Sequence, residues 1–330
     1  MVLRAGFMKM ESLNVHDYQV YKGDTAWFIR DFEKFIAAMT QDIEKFKPHT
    51  VILSAEQMFR DFSSSSKVPL SSFLSEYFSD VQIVVYIKSP IAHYLSSLAQ
   101  SLRVGVDNLR PRLNPIKTKI EYFEGQFPGR VRLHAFDKKQ LLNADVLNDF
   151  LASYAPEMVS LLADKKTERS NVSLSWPMLI ALRKLRMRIQ PKGKKPLLET
   201  RMTLARFARE NKNKVMASPS KKPELKPSIN SMLIKSAGDF LWLKKEHGII
   251  FSDLDYGLMG GGSSDEGEGY YELEDILDLS NIPALDIDSY CHDKKGISYY
   301  LSHGAFTLRL SLTRIINLYF RGVLSLFRKL

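Results

Sequence analysis

Two hydrophobic periods alternate along the first half of the chain. Val81 to Lys88 is apolar or β-branched at almost every position, the pattern of a strand buried on both faces. The period then changes at once. Ser89 suits an N-cap and Pro90 a first helical position, and Ile91, Leu95, Leu98 and Leu102 recur at helical spacing as far as Gly105, a natural stop. Lys88 is thereby expected at the carboxyl end of a core strand, beside the amino end of a helix. In open α/β sheets ligands gather there, and a helix amino end with a neighbouring cation suits a phosphate. A lysine merely solvated at an ordinary strand-to-helix junction accounts for the same pattern.

The same alternation continues on both sides. Asp24 or Thr25 caps a helix running to about Lys47, with Phe28, Phe32, Phe35, Ile36, Met39, Ile43 and Phe46 on one face, and Pro48 ends it. Thr50 to Ser54 reads as a short buried strand, and residues 15–21 as another possible one. Pro69 to Phe78 and Ile116 to Phe127 read as helices, the latter with Ile120 and Phe123 inward. Arg130 to Phe136 alternates strictly, a strand with one wetter face, and Asp137 opens a turn. A helix from Asp145 to Tyr154 packs Val146, Leu147, Phe150 and Leu151. Strands separated by helices predict a parallel α/β sheet.

Beyond about residue 170 the pattern is helical and then irregular. Ser173 to Ile189 forms an amphipathic helix whose outer face carries Arg183, Lys184, Arg186 and Arg188. A second helix covers about 198–210, and Ile229 to Glu246 forms a third. The run from Gly260 to Gly269 reads as an acidic linker. Ala305 to Leu330 lacks acidic residues and reads as a basic amphipathic helix, able to dock on its own domain, a partner or an anionic membrane surface. The expected organisation is a variable segment at 1–30, an α/β core at 31–180, a basic insertion at 181–230, a helical and acidic-linker region at 231–303, and the terminal helix at 304–330.

Charge changes this picture more than composition does. The 330 residues carry a net charge of +10, but between Ala181 and Asn230 there are 15 basic residues against 3 acidic, so the rest is slightly acidic. With 45% hydrophobic and 11% aromatic residues the chain is globular, not disordered. Cys291 is the single cysteine, which excludes an internal disulfide and a thiolate-rich zinc site and suits a reducing compartment. No secretory pattern and no long apolar run is read, so a cytoplasmic protein is expected, peripheral to the inner membrane face if the terminal helix binds lipid. Nucleic acid is disfavoured, because only Phe207 offers a stacking ring within the basic segment.

The order of motifs resembles the bacterial sulfotransferase-like proteins, relatives of the nucleotide-sulfate-dependent sulfotransferases. The resemblance rests on Leu53-Ser54-Ala55-Glu56, Val84 to Lys88 through Ser96 and Gln100, Tyr122 to Phe127, Val131 to Asp137, Asp149-Phe150 and Asn171 to Ser175. It covers roughly residues 45–180, with a weaker echo at Trp242 to Gly248, and order and spacing carry it more than any one motif. It implies a parallel-sheet, three-layer core of the P-loop sulfotransferase type, incomplete at the N-terminus, with a helical C-terminal part.

It also implies a reaction: transfer of a sulfuryl group from 3′-phosphoadenosine-5′-phosphosulfate to a carbohydrate or glycolipid hydroxyl. Lys88 and Ser96 match the family positions that hold the donor's 3′-phosphate, although the family usually has arginine where this chain has Lys88, and lysine lacks the bidentate fork. Glu56 matches the position of a base for the acceptor's proton; it suits the first turn of a helix equally well. His93, three residues before Ser96, and Arg103 are candidate acceptor contacts, with the basic face at 183–195 drawing an anionic glycan. His16 and His134 are the other histidines considered, the latter expected simply to pack in its strand. One departure stands out: no Gly-x-x-x-x-Gly-Lys-Ser/Thr loop occurs, so the 5′-phosphosulfate lacks its usual grip. Either the chain begins downstream of that loop or the loop has been lost. In the second case the protein is a non-catalytic relative that binds a glycan, a partner or a membrane surface.

Overall fold

The computed structural model describes residues 25–54, 70–104, 109–160, 174–189, 204, 206–208, 210–211, 222–259 and 271–288. In chain order the elements are α1 (Thr25–Phe46), α2 (Leu70–Ser75), β1 (Ile83–Ile87), α3 (Pro90–Val104), α4 (Lys117–Gln126), β2 (Val131–Ala135) and α5 (Val146–Tyr154). They continue with α6 (Trp176–Ile189), β3 (Glu224–Leu225), α7 (Pro227–Lys235), α8 (Gly238–His247), α9 (Leu273–Ile276) and β4 (Leu277–Asp278). Among the described residues the fold is therefore mixed, mostly helical, with a small parallel two-stranded sheet. The expectations for residues 15–21, Glu56, Gly105, Asn171 to Ser173, 190–203, the 260–269 run, Cys291 and the helix at 305–330 lie outside the described residues.

The chain divides into two compact units. The first comprises Met1–His93, Arg112–Lys166 and Ser231–Glu266; the second comprises Tyr94–Pro111, Thr167–Asn230 and Gly267–Leu330.

In the first unit β1 and β2 pair in parallel, Ile83 opposite Val131 through Ile87 opposite Ala135. Strand alternation sends Ile83, Val85, Ile87, Val131, Leu133 and Ala135 to one face. Val85, Ile87, Leu133 and Ala135 join a core with Ile120 of α4, Phe240 and Leu243 of α8, and Phe251 and Leu254 beyond it. At one end Ile83 and Val131 join a second cluster built on Leu70, Leu74, Phe123 and Phe127, with Phe35 of α1 packed against it. Ile120 and Phe123 are fully buried, as their spacing in α4 predicts. Asp145 caps α5 through the amides of Leu147 and Asn148.

Two compact pieces form the core of the second unit. Met178, Ala181, Leu182 and Leu185 of α6 pack with Phe207 and Ile287. β3 and β4 pair antiparallel, Glu224 opposite Asp278 and Leu225 opposite Leu277.

Several expectations are corrected. Thr50 to Ser54 is not a strand: Leu53 is exposed and the segment is irregular. Three consecutive apolar residues fit a half-buried coil as well as a strand, and a strand without a ladder neighbour leaves its amides unpaired. The helix expected from Ile229 to Glu246 is two helices, broken at Ser236 and Ala237. There the Ser236 hydroxyl donates back to the Leu233 carbonyl at 3.0 Å, and Gly238, a poor helix interior, starts the next helix instead. Phe46 and Leu147 face solvent rather than the core. Phe46 is the last residue of α1 and Leu147 the second of α5, so each lies in a terminal turn at the edge of the packed stripe.

Candidate functional site

The junction after β1 forms as its residues predict. The Phe136 amide donates to the Ile87 carbonyl at 2.6 Å, extending the parallel pair to the point where Lys88 leaves the sheet. The Lys88 ammonium lies 5.1 Å from the centre of the Phe136 ring, a cation–π contact at the carboxyl edge. Ser89 is buried, its hydroxyl accepts the Ala92 amide at 3.2 Å, and its carbonyl accepts the His93 amide at 2.8 Å. Ser89 is thus a true N-cap, with Pro90 at the first helical position.

A carboxylate that the sequence reading did not place also meets this junction. The Ser89 hydroxyl donates to Asp253 Oδ2 at 2.6 Å. Asp253 arrives there because α8 ends on Gly248 in the left-handed region (φ 67°), which turns the chain back so that Ile249, Phe251 and Leu254 enter the core. Gln140 holds the returning segment by donating to the Ile250 carbonyl at 2.8 Å, and the Phe251 amide donates to the Tyr256 hydroxyl at 2.8 Å. Burial pushes the Tyr256 phenol up from its ordinary value. Asp253, itself exposed, therefore sits beside the positive end of α3, a position that favours an anion.

The other expected site residues distribute as follows. His93 lies in the first turn of α3, half-buried, within the first unit. Ser96 is exposed, in the part of α3 that belongs to the second unit. Arg103 is exposed in the last turn of α3, and its carbonyl accepts from Arg186 at 3.2 Å. Glu56 lies outside the described residues.

The outer basic face expected on α6 is corrected in part: Lys184 and Arg188 are exposed, but the arginines are engaged within the protein. Arg183 is buried at 5% exposure and pairs with Glu272 Oε2 at 2.7 Å. Arg186 donates to the carbonyls of Leu102 and Arg103, and Arg188 pairs with Asp288. A period of 3.6 assigns a face but not its neighbour; the acidic stretch between residues 251 and 290 supplies Glu272 and Asp288 as internal partners. Among these arginines charge that looked available for a glycan is already engaged within the protein.

A further polar group, on the sheet face opposite the core, was missed. Tyr86 of β1 and His134 of β2 are register partners, and their rings stack at 4.9 Å. The Tyr86 hydroxyl donates to Asp149 Oδ2 at 2.7 Å, and His134 Nε2 is hydrogen-bonded to the Tyr154 hydroxyl. Burial, then the Asp149 bond, pushes the Tyr86 phenol far above its ordinary range. The alternation of Arg132 and His134 on the wetter face of β2 was the available signal; nothing in the sequence located Asp149 and Tyr154 above them. His134 is accordingly not merely packed in its strand.

Compared with family models, with curated proteins and with solved structures, the chain gives no match in any of the three. Among the described residues no group of histidine, cysteine and carboxylate side chains is placed to hold a metal ion, and no helix is long and apolar enough to cross a membrane.

Proposed function

We propose that this chain is a sulfotransferase-like protein that takes 3′-phosphoadenosine-5′-phosphosulfate as donor and a carbohydrate or glycolipid hydroxyl as acceptor. The observation that carries the reading is the junction itself: a parallel strand pair whose carboxyl edge presents Lys88, followed directly by a helix capped by Ser89. A cation beside helix amides suits a phosphate monoester at that edge. In this reading Lys88 and Ser96 contact the donor's 3′-phosphate, His93 and Arg103 lie toward the acceptor, and Glu56 takes the acceptor's proton. The bound donor supplies the sulfuryl group; the protein's part is to orient the donor and to accept that proton.

The residues present fit this donor only in part. Lys88 and the α3 amino end suit the 3′-phosphate, whereas nothing among the described residues matches a glycine- and lysine-bearing cradle for the 5′-phosphosulfate. The test of donor binding is thermal. Adenosine 3′,5′-bisphosphate should raise the melting temperature of the full chain, and Lys88→Ala should remove that rise; no rise in the unaltered chain overturns the reading.

A second reading, the non-catalytic relative, is favoured by one contact. The Asp253 carboxylate already bonds to Ser89 at the start of α3, where an incoming phosphate would meet like charge. If this reading holds, the bisphosphate produces no shift, while glycan-array binding or pull-down of a partner persists in Lys88→Ala. Liposome sedimentation with and without residues 305–330 tests a membrane-surface role separately, and equal recovery removes it.

A further inference from the structure

Four side chains on the polar face of the β1–β2 pair form a connected polar chain that sulfuryl transfer does not use. Asp149 Oδ2 accepts the Tyr86 hydroxyl at 2.7 Å while Oδ1 accepts the Leu142 amide at 3.0 Å. His134 Nδ1 lies 4.0 Å from Asp149 Oδ2, and Nε2 is hydrogen-bonded to Tyr154. The His134 and Asp149 side chains are 28% and 17% exposed, so solvent reaches the imidazole although the group is largely enclosed. Asp149 and Tyr154 are the residues by which α5 grips this face of the sheet.

The direction of each hydrogen bond follows from the partners. Burial raises the Tyr154 phenol above its ordinary value, so it keeps its proton and is able to donate to Nε2 when the imidazole is neutral. The ring proton then resides on Nδ1, toward the Asp149 carboxylate. A second ring proton cannot be added without a change. It goes to Nε2, which becomes a donor, and Tyr154 must accept in place of donating and turn its own proton elsewhere.

We infer that His134 is a proton-operated clasp between β2 and α5: uptake of one proton from solvent at Nε2 reverses the His134–Tyr154 hydrogen bond and draws the imidazolium onto Asp149. The groups that face it are Tyr86 from β1, Asp149 and Tyr154 from α5, and Arg132 from β2, whose cation acts on Tyr154. The clasp stands apart from the transfer reaction and survives if that reading fails.

Nuclear magnetic resonance of the full chain between pH 5 and 8.5, with labelled histidine and tyrosine, tests it. The Tyr154 ring signals should move with the same midpoint as those of His134, and His134→Gln should stop that movement. Tyr154→Phe removes the partner of both ring forms and so ends the reversal, while Asp149→Asn removes the nearby anion that favours the imidazolium. A histidine that is only packed would titrate without moving Tyr154. The inference is overturned if Tyr154 stays still through the His134 titration, or if its movement persists in His134→Gln. Those two measurements decide the matter even if Asp149→Asn does not fold.

Discussion

The two faces of the β1–β2 pair are held by different physics. One presents Val85, Ile87, Leu133 and Ala135 to a continuous apolar core with Phe240, Leu243 and Phe251. The other presents Tyr86 and His134 to Asp149 and Tyr154, through directed hydrogen bonds and ring contacts. Apolar burial is non-directional and scales with area, so that face tolerates small shifts but not lost volume. The polar face depends on which atom carries a proton, so it responds to pH and to single-atom substitutions. A two-stranded sheet is marginal by itself, and both coverings are needed to hold it.

Volume is the sharpest probe of the apolar face. Leu243 is fully buried, and Leu243→Ala should cost about 3 kcal/mol, since truncation forfeits transfer energy and leaves a cavity. Urea denaturation measures it; a loss below about 1 kcal/mol would mean that the core collapses onto the gap. On the polar face Asp149→Ala strands the Tyr86 hydroxyl and the Leu142 amide together, and should cost about 2 kcal/mol. If that variant were as stable as the unaltered chain, the polar face would be an ornament of the sheet and the contrast would vanish.

Raising the pH separates the faces without any change of volume. The Tyr86 phenol is pushed above the ordinary value of about 10, chiefly by burial. Below that value the folded and unfolded chains both keep the proton, and the contribution to stability is fully present. Above it the unfolded chain releases its proton while the folded chain holds on, so stability falls as pH rises. Denaturation midpoints at about pH 9, 10 and 11 should therefore decline, and decline less steeply in Tyr86→Phe. The slope should shrink without disappearing, because Tyr154 and Tyr256 are raised in the same direction. Identical slopes would show that Tyr86 loses its proton as readily folded as unfolded.

What the sequence conveyed follows the range of each interaction. The Ser89-Pro90 cap, the register-forming strands at 81–88 and 130–136, and the inward pair Ile120 and Phe123 depend on neighbours within a few residues, and all form. Contacts bridging a hundred residues were illegible. Asp239 accepts the amides of Ile116 and Lys117 at 2.7 and 3.1 Å, capping α4 where its own sequence provides no cap. Asp253 reaches Ser89, and Glu272 reaches Arg183, by the same long-range logic. Of the proposed site, Lys88 and its helix were therefore readable, while the carboxylate beside them was not. Asp239→Ala should cost about 1 kcal/mol, as loss of an N-cap does, and circular dichroism melts would detect it; no loss would mean that water replaces the cap.

The smallest stability effect is expected at the carboxyl edge where both faces end. Lys88 contributes a cation–π contact to Phe136, a residue 36% exposed, so Lys88→Ala should change unfolding free energy by no more than about 0.5–1 kcal/mol. Its effect on ligand response should be the opposite in size: complete loss of the melting shift produced by adenosine 3′,5′-bisphosphate. Lys88→Arg keeps the charge and adds a bidentate fork, and should preserve or enlarge the shift. Asp253→Asn, which removes the anion at the start of α3, should enlarge it further if phosphate and carboxylate compete there. A shift that survives Lys88→Ala would move the anion site away from this edge, leaving the junction as scaffold between an apolar core and a titratable clasp.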